Sequence, residues 1–353
     1  MNVLPQPPPA ERHLHWLLEL CAADTTSGGE DAGLPVLRDL LGLLGAAVHE
    51  QPVAPGRTNV LATWGEPRLL FSTHLDTVPP FLPPRRGEEA IHGRGSCDAK
   101  GQVVAQLVAL EGLRAEGLDG FAWLGVVGEE TDSCGAIAAL ELAPRLPGLR
   151  VLINGEPTEC RLASGQRGLE HWRLRCHGRA AHSGSPELGH SAAWPLLDWL
   201  QRLREVPLAR DAELGPEVWN LGLLKAGAAA NIVPAEAEAH LLLRALPGSG
   251  FAGRILASAP AEGVAELLLA EPADRYPEVP GFPRAGVPFG SDAPRLRALV
   301  PDRTAVLAGP GSISVAHTDQ EHLGFSDLAA GIDLNRRLAR HFLHRHAGSL
   351  ESP

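Results

Sequence analysis

Residues Leu69–Gly101 read LLFSTHLDTVPPFLPPRRGEEAIHGRGSCDAKG. The run Leu69-Leu70-Phe71 carries no polar alternation, which predicts a short strand covered on both faces. It breaks at once into His74-Leu75-Asp76 and closes at Val78-Pro79-Pro80. A second polar turn, Gly93 to Asp98, leads into Lys100-Gly101 and a long segment of helical apolar period. In open α/β sheets, ligands bind just beyond the carboxyl ends of strands. An imidazole and two carboxylates delivered there, His74, Asp76 and Asp98, point to a metal centre.

The same grammar repeats outward. Residues 11 to 23 and 31 to 44 have the apolar spacing of amphipathic helices, and Val60–Thr63 and Arg68–Thr73 read as strands. Gly101–Glu116 is a predicted helix, and Phe121–Val127 is a second buried strand ending in Gly128-Glu129-Glu130. Ser133–Leu140 reads as helix, and Val151–Ile153 as a strand ending in Asn154-Gly155-Glu156. Buried strands alternating with helices predict an α/β fold, a mixed, largely parallel sheet flanked by helices.

Near Gly165 the order changes to strand (Leu169–Cys176), helix (Ser191–Leu203), two strands (Glu217–Leu224, Ala235–Leu243), helix (Phe251–Ala257) and strand (Glu266–Ala270). That order predicts an inserted α+β two-layer domain over residues 165–271, with 1–164 and 272–353 forming a discontinuous catalytic domain. Trp194, Leu197 and Leu200 are expected to give the insert an exposed apolar edge. The α/β pattern resumes with a strand at Thr304–Ala308, the cluster His317 to His322, and a helix over Asp327–Phe342.

Composition limits the function. The chain has 353 residues and a net charge of −11, which argues against nucleic acid or an anionic membrane as the main partner. No window approaches the roughly 18 consecutive apolar residues of a membrane span. The Pro-rich start, MNVLPQPPPAER, lacks a secretory signal, so a cytoplasmic location is expected. Five cysteines without a C-x-x-C pair argue against a disulfide framework or a cysteine-rich zinc site. The only lysines are Lys100 and Lys225, which draws attention to Lys100 in its polar turn.

His74, Asp98, Glu129, Glu130, Glu156 and His317 form a plausible inventory for two divalent metals sharing one carboxylate. Imidazole with carboxylate suits zinc, and also cobalt or manganese. Glu129 and Glu130 are neighbours on an extended backbone and point to different sides, so one can hold metal while the other serves as base.

The segments STHLDTVPP, GRGSCDAKG, VVGEE, NGEPT and AHTDQEH, in this order, resemble the acetylornithine deacetylase / succinyl-diaminopimelate desuccinylase / aminoacylase family of two-metal amidohydrolases. The likeness runs over nearly the whole chain. It implies a zinc-peptidase-like catalytic domain with a lid and dimerisation insert, hence a homodimer through the lid. It implies His74 and Glu156 on one metal, Glu130 and His317 on the other, and Asp98 bridging. It implies Glu129 as general base, Asp76 as the group orienting His74, and a cis peptide at Asp98-Ala99. In the insert, GQRG at 165–168 and GRAAHS at 178–183 match the family's lid, where His182 reaches the partner's site and steadies an oxyanion. Asn231 in ANIVP and Arg244 resemble substrate-contacting residues, with Arg244 on a carboxylate; Arg167 and Ser291 match further loops near the substrate.

The resemblance implies hydrolysis of an N-acyl amino acid by a metal-activated water, most like acetylornithine deacetylase. A dipeptidase or carboxypeptidase and a carrier-linked acyl-lysine hydrolase are the alternatives within the family. A non-catalytic binding member and a hydrolase using Cys97 are the alternatives outside it. Against the latter, Cys97 adjoins a carboxylate, which raises a thiol pKa.

Overall fold

The computed structural model describes residues 10–347; the reading of the first residues as lacking a signal lies outside them. The chain divides into two compact units. One holds the chain up to Ala163, Tyr276–Ala285 and the chain from Ser291; the other is Ser164–Arg275 with Gly286–Gly290.

The first unit is built on a six-stranded sheet in the order Ala47–Ala54, Arg57–Trp64, Phe121–Val126, Leu69–His74, Val151–Asn154, Ala305–Leu307. The last four strands are mutually parallel, and the first two join antiparallel. Every residue of Leu69–His74 is buried, and successive side chains go to opposite layers. Leu69 and Phe71 join Phe121, Trp123 and Ile153 against the helices Glu11–Ala22, Lys100–Ala115 and Phe325–Ala347. Leu70 joins Ala122, Leu124 and Leu152 against Ala136, Leu142 and Leu296 on the other face. Continuous apolar strands are therefore what a sheet covered on both sides needs. A fully buried side chain such as Phe71 contributes about 1.5–3 kcal/mol.

Lys100–Ala115 runs through the middle of one layer, and its start is pressed against the preceding turn. A Cβ on Gly101 would collide with the Ser96 carbonyl and the Leu323 side chain, so only glycine lets the helix begin there. Two peptides are cis, Pro79-Pro80 and Asp98-Ala99, the latter as the resemblance implies.

Ala47–Ala54 is a strand absent from the sequence reading. It lies at the sheet margin, its side chains are largely exposed, and it contains Pro52, so it has no apolar run to read.

The second unit is a four-stranded antiparallel sheet ordered Val218–Ala226, Glu236–Ala245, Gly168–His177, Gly263–Glu271. One face, with Trp172, Leu174, Ala239, Leu241 and Leu243, is covered by the helices Ala193–Glu205 and Phe251–Ala257. Trp194 and Leu197 are exposed as expected, but Leu200 is not. It lies one turn on from Leu196, on the face that packs against the sheet. Leu221, Leu223 and Leu224 of the outer strand are exposed as well.

Candidate metal centre

Parallel strands end together, and that is what assembles the site. His74 closes Leu69–His74, Glu129 and Glu130 follow Phe121–Val126, Glu156 follows Val151–Asn154, and His317 lies in the loop after Ala305–Leu307. Asp98 sits just before the helix Lys100–Ala115. Two groups of side chains result, each with ligand atoms within 4.8 Å of one another: His74, Asp98 and Glu156, and Asp98, Glu130 and His317. Asp98 is common to both. One of its oxygens lies 3.0 Å from His74 Nε2 and the other 3.3 Å from His317 Nε2. His317 Nε2 also lies 2.9 Å from Glu130 Oε1.

Asp76 is buried behind these groups and serves more donors than the sequence implies. Its oxygens accept the backbone N–H of Glu129 and of Glu130, both at 3.1 Å, and Ser27 Oγ donates to it at 2.8 Å. His74 Nδ1 is 2.9 Å from the Asp76 main-chain carbonyl and 3.5 Å from its carboxylate. One residue thus orients the imidazole and also fixes the turn that carries both glutamates.

The electrostatics are those of a site short of positive charge. Burial and the neighbouring Glu156 carboxylate push Glu129 well above the usual carboxylate range. Burial raises Glu156 strongly and Glu130 as well. Asp292, also buried, is pushed up to about 6 by burial and adds its charge to those facing Glu129 and Glu156. Asp98 moves the other way: against the cost of burial, hydrogen bonds from His317 and His74 hold it well below its ordinary value. His317 rises to about 10 through hydrogen bonds to Asp98 and Glu130. Burial lowers His74, but its hydrogen bonds to the Asp76 and Asp98 carboxylates overcome that and lift it well above the ordinary range. Buried carboxylates crowded around the His74 and His317 imidazoles are stabilised by added cations. Mixed imidazole and carboxylate donors are the set that zinc and similar divalent ions take. The residues present therefore fit a pair of divalent metals.

The sequence profile of the Peptidase family M20/M25/M40 matches residues 70–341. This chain belongs to that family. A probable carboxypeptidase of Aspergillus clavatus is 34% identical over 93% of this chain and 82% of its own length. Among solved structures, an aminopeptidase of Bacillus cereus superposes with a TM-score of 0.77 at 19% identity, covering 95% of this chain and 99% of that one. A dinuclear metal-binding peptidase of Bacillus subtilis does so with a TM-score of 0.67 at 14% identity, covering 93% and 97%. The M20 chain is a metallopeptidase-type hydrolase of amide bonds.

The remaining residues singled out by sequence belong to neither ligand group. In the second unit, His182 pairs through its backbone with Ile232, and Ser183 N–H donates to the Asn231 carbonyl at 3.0 Å, so His182 and Asn231 are brought together, both exposed. Arg244 sits at the opposite end of its strand, cross-strand from Val218 and Leu169, beside Arg167, whose Nη1 donates to the Pro216 carbonyl. The stretch from Glu236 to Arg244 alone spans about 26 Å at strand rise, and it separates the two pairs. In the first unit, Ser291 is buried, and its hydroxyl accepts the Ala293 N–H at 3.3 Å. Lys100 turns its amine to the Ala23 carbonyl at 2.9 Å rather than to the ligand groups. The cysteines are free, and burial and the adjoining Asp98 push the Cys97 thiol well up.

Sequence reasoning missed Ser27, Arg94 and Glu321. Ser27 lay in a polar loop with nothing to tie it to Asp76. Glu321 lies in AHTDQEH, where nothing in the sequence ties it to the Asp98 turn. No helix among the described residues is long and apolar enough to cross a membrane.

Proposed function

We propose that this M20 chain hydrolyses the amide bond of a small peptide bearing a free carboxylate, with Glu129 as general base. The observation that carries the reading is Asp98 shared between two ligand groups, with Glu129 beside them and a member of neither. His74 and Glu156 would hold one ion, Glu130 and His317 the other, and Asp98 both, zinc being the first choice and cobalt or manganese the others. Such a pair supplies Lewis acidity at the carbonyl and eases deprotonation of water. Glu129 takes the proton from the attacking water as the C–O bond forms. It returns that proton to the amine nitrogen as the C–N bond breaks. Asp76 is a positioning residue that orients His74 and fixes the Glu129–Glu130 turn.

The motifs alone favoured acetylornithine-like deacylation. The likeness to a probable carboxypeptidase supports the peptide reading over it, with Arg244 pairing the substrate carboxylate. His182 and Asn231 lie too far along one sheet from Arg167 and Arg244 for a small substrate to touch both pairs of the same chain. That supports a homodimer through the second unit, in which His182 serves the other copy's site as an oxyanion donor.

Glu129→Gln should cut kcat by about 10²-fold or more while zinc content stays at the wild-type level. Retained turnover would remove Glu129 from its role. A panel of dipeptides, N-acyl amino acids and acetylornithine separates the substrate classes; cleavage of acyl amino acids alone would restore the deacylase reading.

A further inference from the structure

Glu321 is among the least exposed acidic residues of the chain, and no part of the mechanism above uses it. Its Oε1 accepts the backbone N–H of Gly95 at 2.9 Å, of Cys97 at 3.2 Å and of Asp98 at 3.1 Å. Its Oε2 takes Arg94 Nη1 at 2.6 Å, and the Arg94 side chain is itself only 3% exposed. The same Nη1 donates to the Thr318 carbonyl at 3.2 Å, and Arg94 Nε to the Pro80 carbonyl at 3.3 Å. The Glu321 carbonyl in turn accepts the Gly93 N–H at 3.0 Å. Every bond to the carboxylate thus comes from the turn that ends in Asp98 or from Arg94, which grips the residue after His317. His317 itself has φ 62, a left-handed backbone that a non-glycine residue rarely adopts and that its surroundings must hold.

We propose that Glu321 is a positioning residue that locks the Asp98 turn to the His317 loop and so sets how the two ligand groups share Asp98; this rests on the metal-centre reading above. The charge pair with Arg94 by itself adds little net stability, because a buried ion pair roughly repays its own desolvation, whereas an apolar replacement would orphan the three backbone N–H groups. What the carboxylate adds is direction. Three N–H groups converging on one oxygen fix the backbone that carries Asp98, while Arg94 carries the same constraint to Thr318. A site of this kind needs its ligands held within about 0.5 Å.

The test compares Glu321→Gln and Glu321→Asp with Glu217→Gln, a buried carboxylate of the second unit that faces Arg254. Zinc affinity is read by competition with a chromophoric chelator, the cobalt-substituted absorption spectrum reports ligand geometry, and kcat and KM are measured on a dipeptide at saturating zinc. Glu321→Gln should weaken at least one zinc by about 10- to 100-fold, shift the cobalt spectrum, and lower kcat with KM little changed. Glu321→Asp, which keeps the charge, should recover part of each. Glu217→Gln should move the melting temperature alone. A folded Glu321→Gln with wild-type zinc affinity, cobalt spectrum and kcat overturns the proposal, whatever its melting temperature. If Glu321→Gln yields no folded protein, Arg94→Gln carries the test, and unchanged zinc affinity there is equally fatal. Wild-type protein that binds no zinc would instead sink the metal-centre reading itself.

Discussion

Replacing Asp76 with Asn removes one charge and no atoms of bulk, and its effect follows from the donors around the carboxylate. Oδ1 accepts the Glu129 N–H, and Oδ2 accepts both the Glu130 N–H and the Ser27 hydroxyl. An Asn side chain offers oxygen on one side and NH₂ on the other. With oxygen toward Glu129, the NH₂ faces the Glu130 N–H; flipped, it faces the Glu129 N–H. The Ser27 hydroxyl can rotate to accept, but a backbone N–H cannot. Either way one glutamate amide loses its acceptor, at a cost of about 1–3 kcal/mol. Because those amides anchor the turn that carries the base and a ligand, the loss is expected in the reaction as well as in folding. It corresponds to a fall of about 5- to 150-fold in kcat/KM at saturating zinc. The assay is steady-state hydrolysis with zinc content measured on the same preparation, alongside urea unfolding. Asp76→Asn with wild-type kcat/KM and wild-type stability would refute the claim that this carboxylate holds the Glu129–Glu130 turn.

Two further perturbations bear on the same architecture. In chelated protein the His317 imidazole is raised from 6.5 to about 10 by Asp98 and Glu130. A raised folded-state pKa gives stability that is fully present below the unfolded value and is lost as pH rises through the folded one. The melting temperature of chelated protein should therefore fall between about pH 7 and 10, and zinc binding near pH 8 should release protons, countable by calorimetry in buffers of different ionisation enthalpy. A flat profile with no proton release would contradict the ion pairing described. Gly135 offers a packing test: a Cβ there would collide with the Val127 backbone and with Asn59 Oδ1, which accepts the Val127 N–H. Gly135→Ala should cost about 1–3 kcal/mol in urea unfolding and lower kcat, since the Glu129–Glu130 turn begins just beyond Val127; an unchanged urea midpoint would show that the contact relaxes freely.

The sequence by itself made the layers and the candidate ligands legible. Runs such as Leu69-Leu70-Phe71 and Phe121–Val126 can be that apolar only where both faces are covered, so the strands were legible one by one. The polar residues at their ends were legible as candidate ligands because a buried strand has few other reasons to stop on His74, Glu129 or Glu156. Two kinds of element escaped. The Ala47–Ala54 strand is exposed and polar at the sheet margin, and Leu200 is placed by the helix face it shares with Leu196, a phase that periodicity read one step off. Tertiary structure alone decided how the site is held. His317 meets Glu130 across 187 residues of chain, and Arg94 meets Glu321 across 227. Periodicity reports what a residue's own segment buries; it carries no information on which distant carboxylate arrives opposite. That Asp76 clamps the glutamate turn and that Glu321 ties the Asp98 turn to the His317 loop depend on segments that meet only in the folded chain.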